Sequence, residues 1–261
     1  MTIWQKIRAA LPWLAASAAS TPVVAQPSDN SAAWQAVYSA RQSFYRSHIG
    51  DFPTDILKVS NLLGVWPGGG LFVIAADKLG PGTWVYTTFG LSNADMPTTV
   101  TVTGSKTQQD ELGRITSTSG TLQKKERAKV PDGAAGYGYE LIVLTKENSE
   151  WPLWILQWAV NAELLGDAGL LQRVDKYHGL TIEGVKTGAN HAVNILVARA
   201  QSPLPTGTPL PNGKLELLVA TIITDDEMKW SMEHGRDALL KKLREAGVGQ
   251  LSQPGRKPVV P

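Results

Sequence analysis

The chain has 261 residues, a formal net charge of +2, 43% hydrophobic and 18% charged residues, and no cysteine. That length buries a sizeable core, the apolar content excludes wholesale disorder, and the missing cysteines exclude disulfides and thiolate metal sites. Lysine and arginine are scattered apart from Lys124, Lys125, Arg127 and Lys129, so no basic stripe marks nucleic acid as the partner.

Residues 1–26 read in two ways. Lys6 and Arg8 precede an uncharged run, Ala9 to Ala25, that ends in Val23-Val24-Ala25. This is the layout of a cleaved signal peptide, which would place the protein in the periplasm or outside the cell. Alternatively, Ile3, Ile7, Leu11 and Leu14 recur at helical spacing, and the segment is a loose helix of a cytoplasmic protein. Either way it falls short of the run of roughly 20 strongly apolar residues that a stable membrane span needs. Residues 1–32 are thus a leader or helix plus a polar linker, 33–247 a single domain, and 248–261 a disordered, Gly/Pro-containing tail.

The domain opens with a helix over Trp34–His48, its apolar side carrying Trp34, Val37, Tyr38, Ala40, Phe44 and Tyr45. Asp55–Leu63 is a short helix or strand entry. Gly68-Gly69-Gly70 leads into the strand-like Leu71–Ala75 rather than into a helix with a lysine, which makes it a loop and not a phosphate cradle. Trp84–Leu91 is a strand whose aromatic spacing, Trp84, Tyr86 and then Phe89, suggests a bulge before Gly90. Thr98–Thr103 is strand-like, and 104–132, with few apolar anchors, reads as a mobile insertion holding one short strand near Arg114–Ser117.

A strand from Gly136 places Tyr137, Tyr139, Leu141 and Val143 on one face and Glu140, Ile142 and Leu144 on the other. A helix follows with Pro152 in its first turn and apolar residues around most of its circumference, which predicts enclosure by other elements. Glu163 and Asp167 at its end read as solvent-facing. Leu180–Val185, Ala192–Ala198 and Lys214–Ile223 are strands, the last preceded by the Pro211-Asn212-Gly213 turn. Thr224 with Glu227 forms a capping box that opens a final helix to about Ala246, with Met228, Met232, Leu239, Leu240 and Leu243 facing the core. The fold class is α/β (α+β): a mixed sheet packed with helices.

Four blocks then resemble the suppressor of fused family. They are Gly82-Thr83-Trp84-Val85-Tyr86-Thr87-Thr88-Phe89-Gly90-Leu91-Ser92, Gly136-Tyr137-Gly138-Tyr139-Glu140-Leu141, Trp151-Pro152 with Leu156-Gln157, and Pro211-Asn212-Gly213-Lys214 running through Leu217–Thr224 to Asp226-Glu227. They occur in the family's order over roughly Asp51 to Ala246. The chain departs from the pattern at Gly104–Asp132 and at Asp175–Asn190, where His178 and His191 do not form an adjacent pair. The resemblance implies an α/β sandwich that binds another protein without catalysis. Animal relatives clamp an extended peptide with the help of a second domain, and bacterial relatives include immunity proteins that neutralise toxin domains.

The residues offer little to an enzyme. His48, His178, His191 and His234 lack metal-ligand spacing, no Gly-x-Ser-x-Gly elbow is present, and no metal or cofactor is expected. The candidate binding residues are Trp84, Tyr86, Tyr137 and Tyr139, with Glu140 as an ionisable group between tyrosines. Core burial is the ordinary outcome of the same alternation. The expected partner is a protein, either a toxin domain or an extended peptide. The alternative is an exported ligand-binding protein or hydrolase.

Overall fold

The computed structural model describes residues 31–53, 60–61, 64–65, 69–94, 96, 99–109, 115–125, 130–188 and 190–261. The leader and most of Asp55–Leu63 lie outside these. The elements, in order, are helix α1 (Ser31–His48), the short strands β1 (Ser60–Asn61) and β2 (Gly64–Val65), β3 (Gly70–Ala75) and β4 (Trp84–Phe89). Next come β5 (Thr99–Gln109), β6 (Ile115–Lys125), β7 (Ala134–Thr145), helices α2 (Trp151–Gly166) and α3 (Leu170–Tyr177), then β8 (Leu180–Lys186) and β9 (Ala192–Arg199). The chain closes with β10 (Gly207–Leu210), β11 (Gly213–Ile223), α4 (Asp225–His234) and α5 (Arg236–Glu245).

Seven strands form one mixed sheet in the order β3-β4-β7-β11-β9-β8, with β10 hairpinned onto β11. Among the described strand pairs of this sheet, only β7–β11 is parallel. Strand alternation sorts the core onto two faces. Tyr86, Tyr137, Tyr139, Leu141, Val143, Ile195 and Val197 meet Leu153, Ile155, Leu156, Ala159 and Val160 of α2 and Leu170, Leu171 and Val174 of α3. On the other face Phe72, Val85, Phe89, Ile142, Leu217 and Val219 receive Val37, Phe44 and Tyr45 of α1, and Leu196 and Ala198 receive Leu239, Leu240 and Leu243 of α5. Helix α2 is enclosed along one side, while Trp151, Trp154 and Trp158 are only partly buried. No helix among the described residues is long and apolar enough to cross a membrane.

Several expectations change. Strands β3 and β4 pair without interruption from Gly70–Phe89 to Ala75–Trp84, so no bulge precedes Gly90. Phe89 stands on the face opposite Tyr86 because its parity along the strand is odd relative to it. The stretch 104–132 was expected to hold one short strand. Instead β5 and β6 pair antiparallel as a two-stranded ribbon, a threonine- and serine-rich pattern whose lack of apolar alternation hides it from periodicity. The final helix is two helices. Gly235, at φ 92° and ψ 157°, leaves helical space between them, and Met232 is 69% exposed instead of facing the core.

The tail also departs from its expected disorder. Strands β7 and β11 pair as far as Ile142–Val219 and then splay. Residues 250–252 fill that fork: Leu251 bridges Leu144, the Ser252 N–H donates to the Leu144 carbonyl at 2.8 Å, and the Ser252 hydroxyl accepts from the Ile222 N–H at 2.9 Å. The splayed strand ends would otherwise bury unpaired backbone groups. Farther on, Arg256 donates twice, at 2.6 Å each, to the carboxylate of Glu227, which is fully buried. The N–H groups of Thr224 and Val259 add two more bonds at 2.9 Å, and the capping box is complete. Burial alone would raise the Glu227 pKa, but these donors and the Arg256 charge outweigh it and hold the carboxyl below its ordinary 4.5.

A depressed carboxyl pKa adds stability above the unfolded value that is lost as pH falls through the folded one. The wild type is therefore expected to lose stability below about pH 4.5, and Glu227→Gln to lack that part of the acid limb. Near neutrality Glu227→Gln leaves a mostly buried Arg256 uncompensated and is expected to cost about 3 kcal/mol in urea unfolding.

Candidate functional site

Beyond Phe89 the chain turns through Gly90, Leu91, Ser92 and Asn93, and the turn is built on one carboxylate. Glu140 on β7 is fully buried. Its Oε1 accepts from the Gly90 N–H at 2.8 Å, the Ser92 N–H at 3.0 Å and the Ser92 hydroxyl at 2.7 Å. Its Oε2 accepts from the Thr88 hydroxyl at 2.7 Å and the Leu91 N–H at 3.3 Å. Arg41 of α1, also fully buried, completes the set: Nη1 lies 3.2 Å from Oε1, Nη2 donates to Asn93 Oδ1 at 2.8 Å, and the guanidinium carbon is 3.9 Å from the Phe89 ring centroid. With both oxygens surrounded by donors, Glu140 is committed to structure and has no acceptor site left for a reacting proton.

The same turn explains two further motifs. Tyr137 N–H donates to the Leu91 carbonyl at 2.8 Å, which brings β7 so close that a Cβ on Gly136 would lie 2.5 Å from Leu91 O and 2.8 Å from Asn93 O; Gly136 also holds φ at 58°. The Asn212 amide, in the turn between β10 and β11, donates to the Ser92 carbonyl at 3.1 Å. Nearby, the Tyr45 hydroxyl bonds Thr87 at 2.8 Å; burial first, and the Glu140 charge second, push its pKa well up, so it stays protonated.

The four candidate aromatics are not an exposed surface. Tyr86, Tyr137 and Tyr139 are at most 3% exposed and lie beneath α2 and α3, with the partly buried Trp84 packed against them. The sheet is covered on both faces, so alternation chooses which layer receives a side chain, not whether it is buried. Two of the polar tips organise neighbouring elements. The Tyr86 hydroxyl donates to Asn148 Oδ1 at 2.8 Å and accepts from the Ser149 N–H at 2.7 Å, fixing the entry to α2, and burial pushes its pKa up to about 12. Tyr139 donates at 3.0 Å to Glu163, which is 2% exposed rather than solvent-facing and accepts the Gly169 and Leu170 N–H groups at the start of α3.

What the fold leaves available is a strand. The main path of the sheet ends in β3 and β8, and β10 pairs only with β11 among the described strands. Strand β3 is buried from Gly70 to Ile74. Strand β8 has Leu180, Thr181 and Ile182 half-buried and Glu183, Gly184 and Lys186 exposed, and no described strand pairs with its outer side. Its pairing with β9 is regular through Ile182 and shifts before Val185 at a bulge. Sequence reasoning missed both this edge and Arg41. Arg41 had a readable signal, since it interrupts the spacing of Val37, Phe44 and Tyr45 on the buried side of α1.

Two outcomes follow from the turn. Gly136→Ala is expected to cost more than about 2 kcal/mol, from close contact with two carbonyl oxygens and an unfavourable φ, as read by chemical denaturation. Glu140→Gln is expected to cost about 3 kcal/mol or more. Adding Arg41→Ala to that variant is expected to cost far less than in the wild type; additive losses would show that the pair is not coupled.

Comparison with known proteins bears on these motifs directly. The family model described as Suppressor of fused protein (SUFU) matches residues 67–257. Among solved structures, Drosophila Suppressor of Fused is 16% identical with a TM-score of 0.49, over 86% of this chain and 50% of its own, so the chain spans half the length of that protein. A putative SUFU homolog from Neisseria gonorrhoeae is 16% identical with a TM-score of 0.49, over 87% of this chain and 96% of its own. The match in the Sufu–Fu complex is 18% identical with a TM-score of 0.45, over 87% of this chain and 91% of its own. No curated protein matches the chain. The family model spans the Gly90–Asn93 turn, Glu140 and the Asn212 turn together, and the chain belongs to the suppressor of fused family.

Proposed function

We propose that this domain is a non-catalytic protein-binding module that receives an extended segment of a partner protein as an added strand on the outer side of β8. The observation that carries this reading is the contrast between the two ends of the sheet's main path: β3 is buried from Gly70 to Ile74, whereas β8 is half-buried or exposed at every residue but Val185 and no described strand pairs with its outer side. An open edge offers a row of N–H and C=O groups that a partner strand can pair, and the half-exposed Leu180 and Ile182 add apolar contact. The bulge after Ile182 limits the regular stretch, as edges guarded against indiscriminate pairing do.

Family membership supports the same class of function, and the narrower reading, an immunity-type protein that neutralises a toxin domain, rests on it. The non-catalytic reading draws support from the commitment of Glu140, Glu163 and Glu227 to backbone N–H groups. The test is hydrogen exchange on the protein purified with its bound partner. Amides in Leu180–Ile182 are expected to exchange at least about tenfold more slowly in the complex than in the free chain. Protection confined to other surfaces would overturn strand addition, and identification of the partner as a toxin domain decides the immunity reading.

A further inference from the structure

At its bulge, β8 borders an open cleft of about 350 Å³ between the sheet end and the tail. Glu183 enters from β8, Val193 and Asn194 from β9, Ile222 and Asp225 from the junction of β11 and α4, and Arg256 from the tail. Glu183 and Asp225 are exposed, and neither forms an ion pair among the described residues. Asn194, 8% exposed, sets the geometry. Its Oδ1 accepts from the Gly184 N–H at 3.1 Å, and its Nδ2 donates to Asp225 Oδ1 at 2.8 Å. One oxygen of Asp225 is thereby fixed and the other is left for an incoming donor.

The single cation in the lining does not cancel these charges, because Arg256 is already paired with Glu227. The positive end of α4 offsets only about half a charge. Arg256 is itself only 7% exposed and also donates to the Ile222 and Lys257 carbonyls. The cleft therefore combines two carboxylates outside any ion pair among the described residues with an apolar wall of Val193 and Ile222.

We infer that this cleft is the specificity pocket of the β8 edge and takes a lysine or arginine side chain from the added strand. The methylene stem lies on Val193 and Ile222, and the cationic head meets Asp225 and Glu183. The occupant rests on the strand-addition reading, whereas the cation site is defined by its own residues.

Two arms test it on the full chain. In the first, butylguanidinium and sodium butyrate are titrated into the isotope-labelled protein. Butylguanidinium is expected to shift the Gly184, Asn194 and Asp225 amides saturably and butyrate to leave them unmoved. A Glu183→Gln, Asp225→Asn double variant with an unchanged thermal transition is expected to bind the cation about tenfold more weakly. Equal response to both probes, or undiminished affinity in the variant, would overturn the pocket. In the second arm, the peptide Thr-Val-Thr-Arg-Thr-Val-Thr is compared with the same peptide carrying glutamate at its centre. Tenfold preference for arginine, with protection of β8, supports the proposal. Protection of β8 without preference overturns the pocket and keeps strand addition. Cation binding with no protection by either peptide overturns strand addition and the proposed occupant together, leaving the cation site itself standing.

Discussion

A carboxylate buried without partners would be protonated or would unfold its surroundings. Glu140 is fully buried in the middle of a seven-stranded sheet, and the structure around it meets that demand. The chain after β4 must present three N–H groups and two hydroxyls to one point, which dictates the Gly90–Asn93 turn. Helix α1 must cross the sheet where Arg41 reaches the remaining charge, which sets its place over Phe89. Strand β7 must approach the turn at Gly136, and the β10–β11 hairpin closes over it through Asn212. Elements far apart in sequence are thus positioned by a single carboxyl group.

Glu163 and Glu227 repeat the device at smaller scale. Glu163 gathers the start of α3 and the tip of Tyr139, and Glu227 gathers the start of α4 and the tail. Polar groups deep in the domain are therefore spent on holding loops and helix ends. At the periphery, by contrast, no described strand pairs with the outer side of β8, and Glu183 and Asp225 in the neighbouring cleft have no ion pair among the described residues.

Much of this architecture was legible in the sequence. Alternation in β7 correctly separated Tyr139 and Leu141 from Glu140 and Ile142, and the Thr224–Glu227 spacing announced a capping box that the structure contains. What escaped were features that depend on distant residues. The polarity of Glu163 suggests solvent until Tyr139 and Leu170 are seen to enclose it. A tail rich in glycine and proline looks loose until the fork between β7 and β11 supplies partners for it. The open edge was illegible because edge position is a property of strand order, which local pattern does not encode. The ribbon of β5 and β6 was read only in part, at Thr98–Thr103 and near Arg114–Ser117, because the sequence beyond Thr103 carries little hydrophobic period to read.

The reach of the Glu140 cluster has a consequence in time. Arg41 and Glu140 are separated by 99 residues, and Ser92 and Asn212 by 120. Contacts of such range place folding toward the slow end for a domain. During synthesis at roughly 5–20 residues per second, α1 leaves the ribosome on the order of 5–20 s before its counter-ion exists. Over that interval its apolar side, with an arginine at the centre, faces solvent or a chaperone, and the helix acquires its place only when β7 arrives.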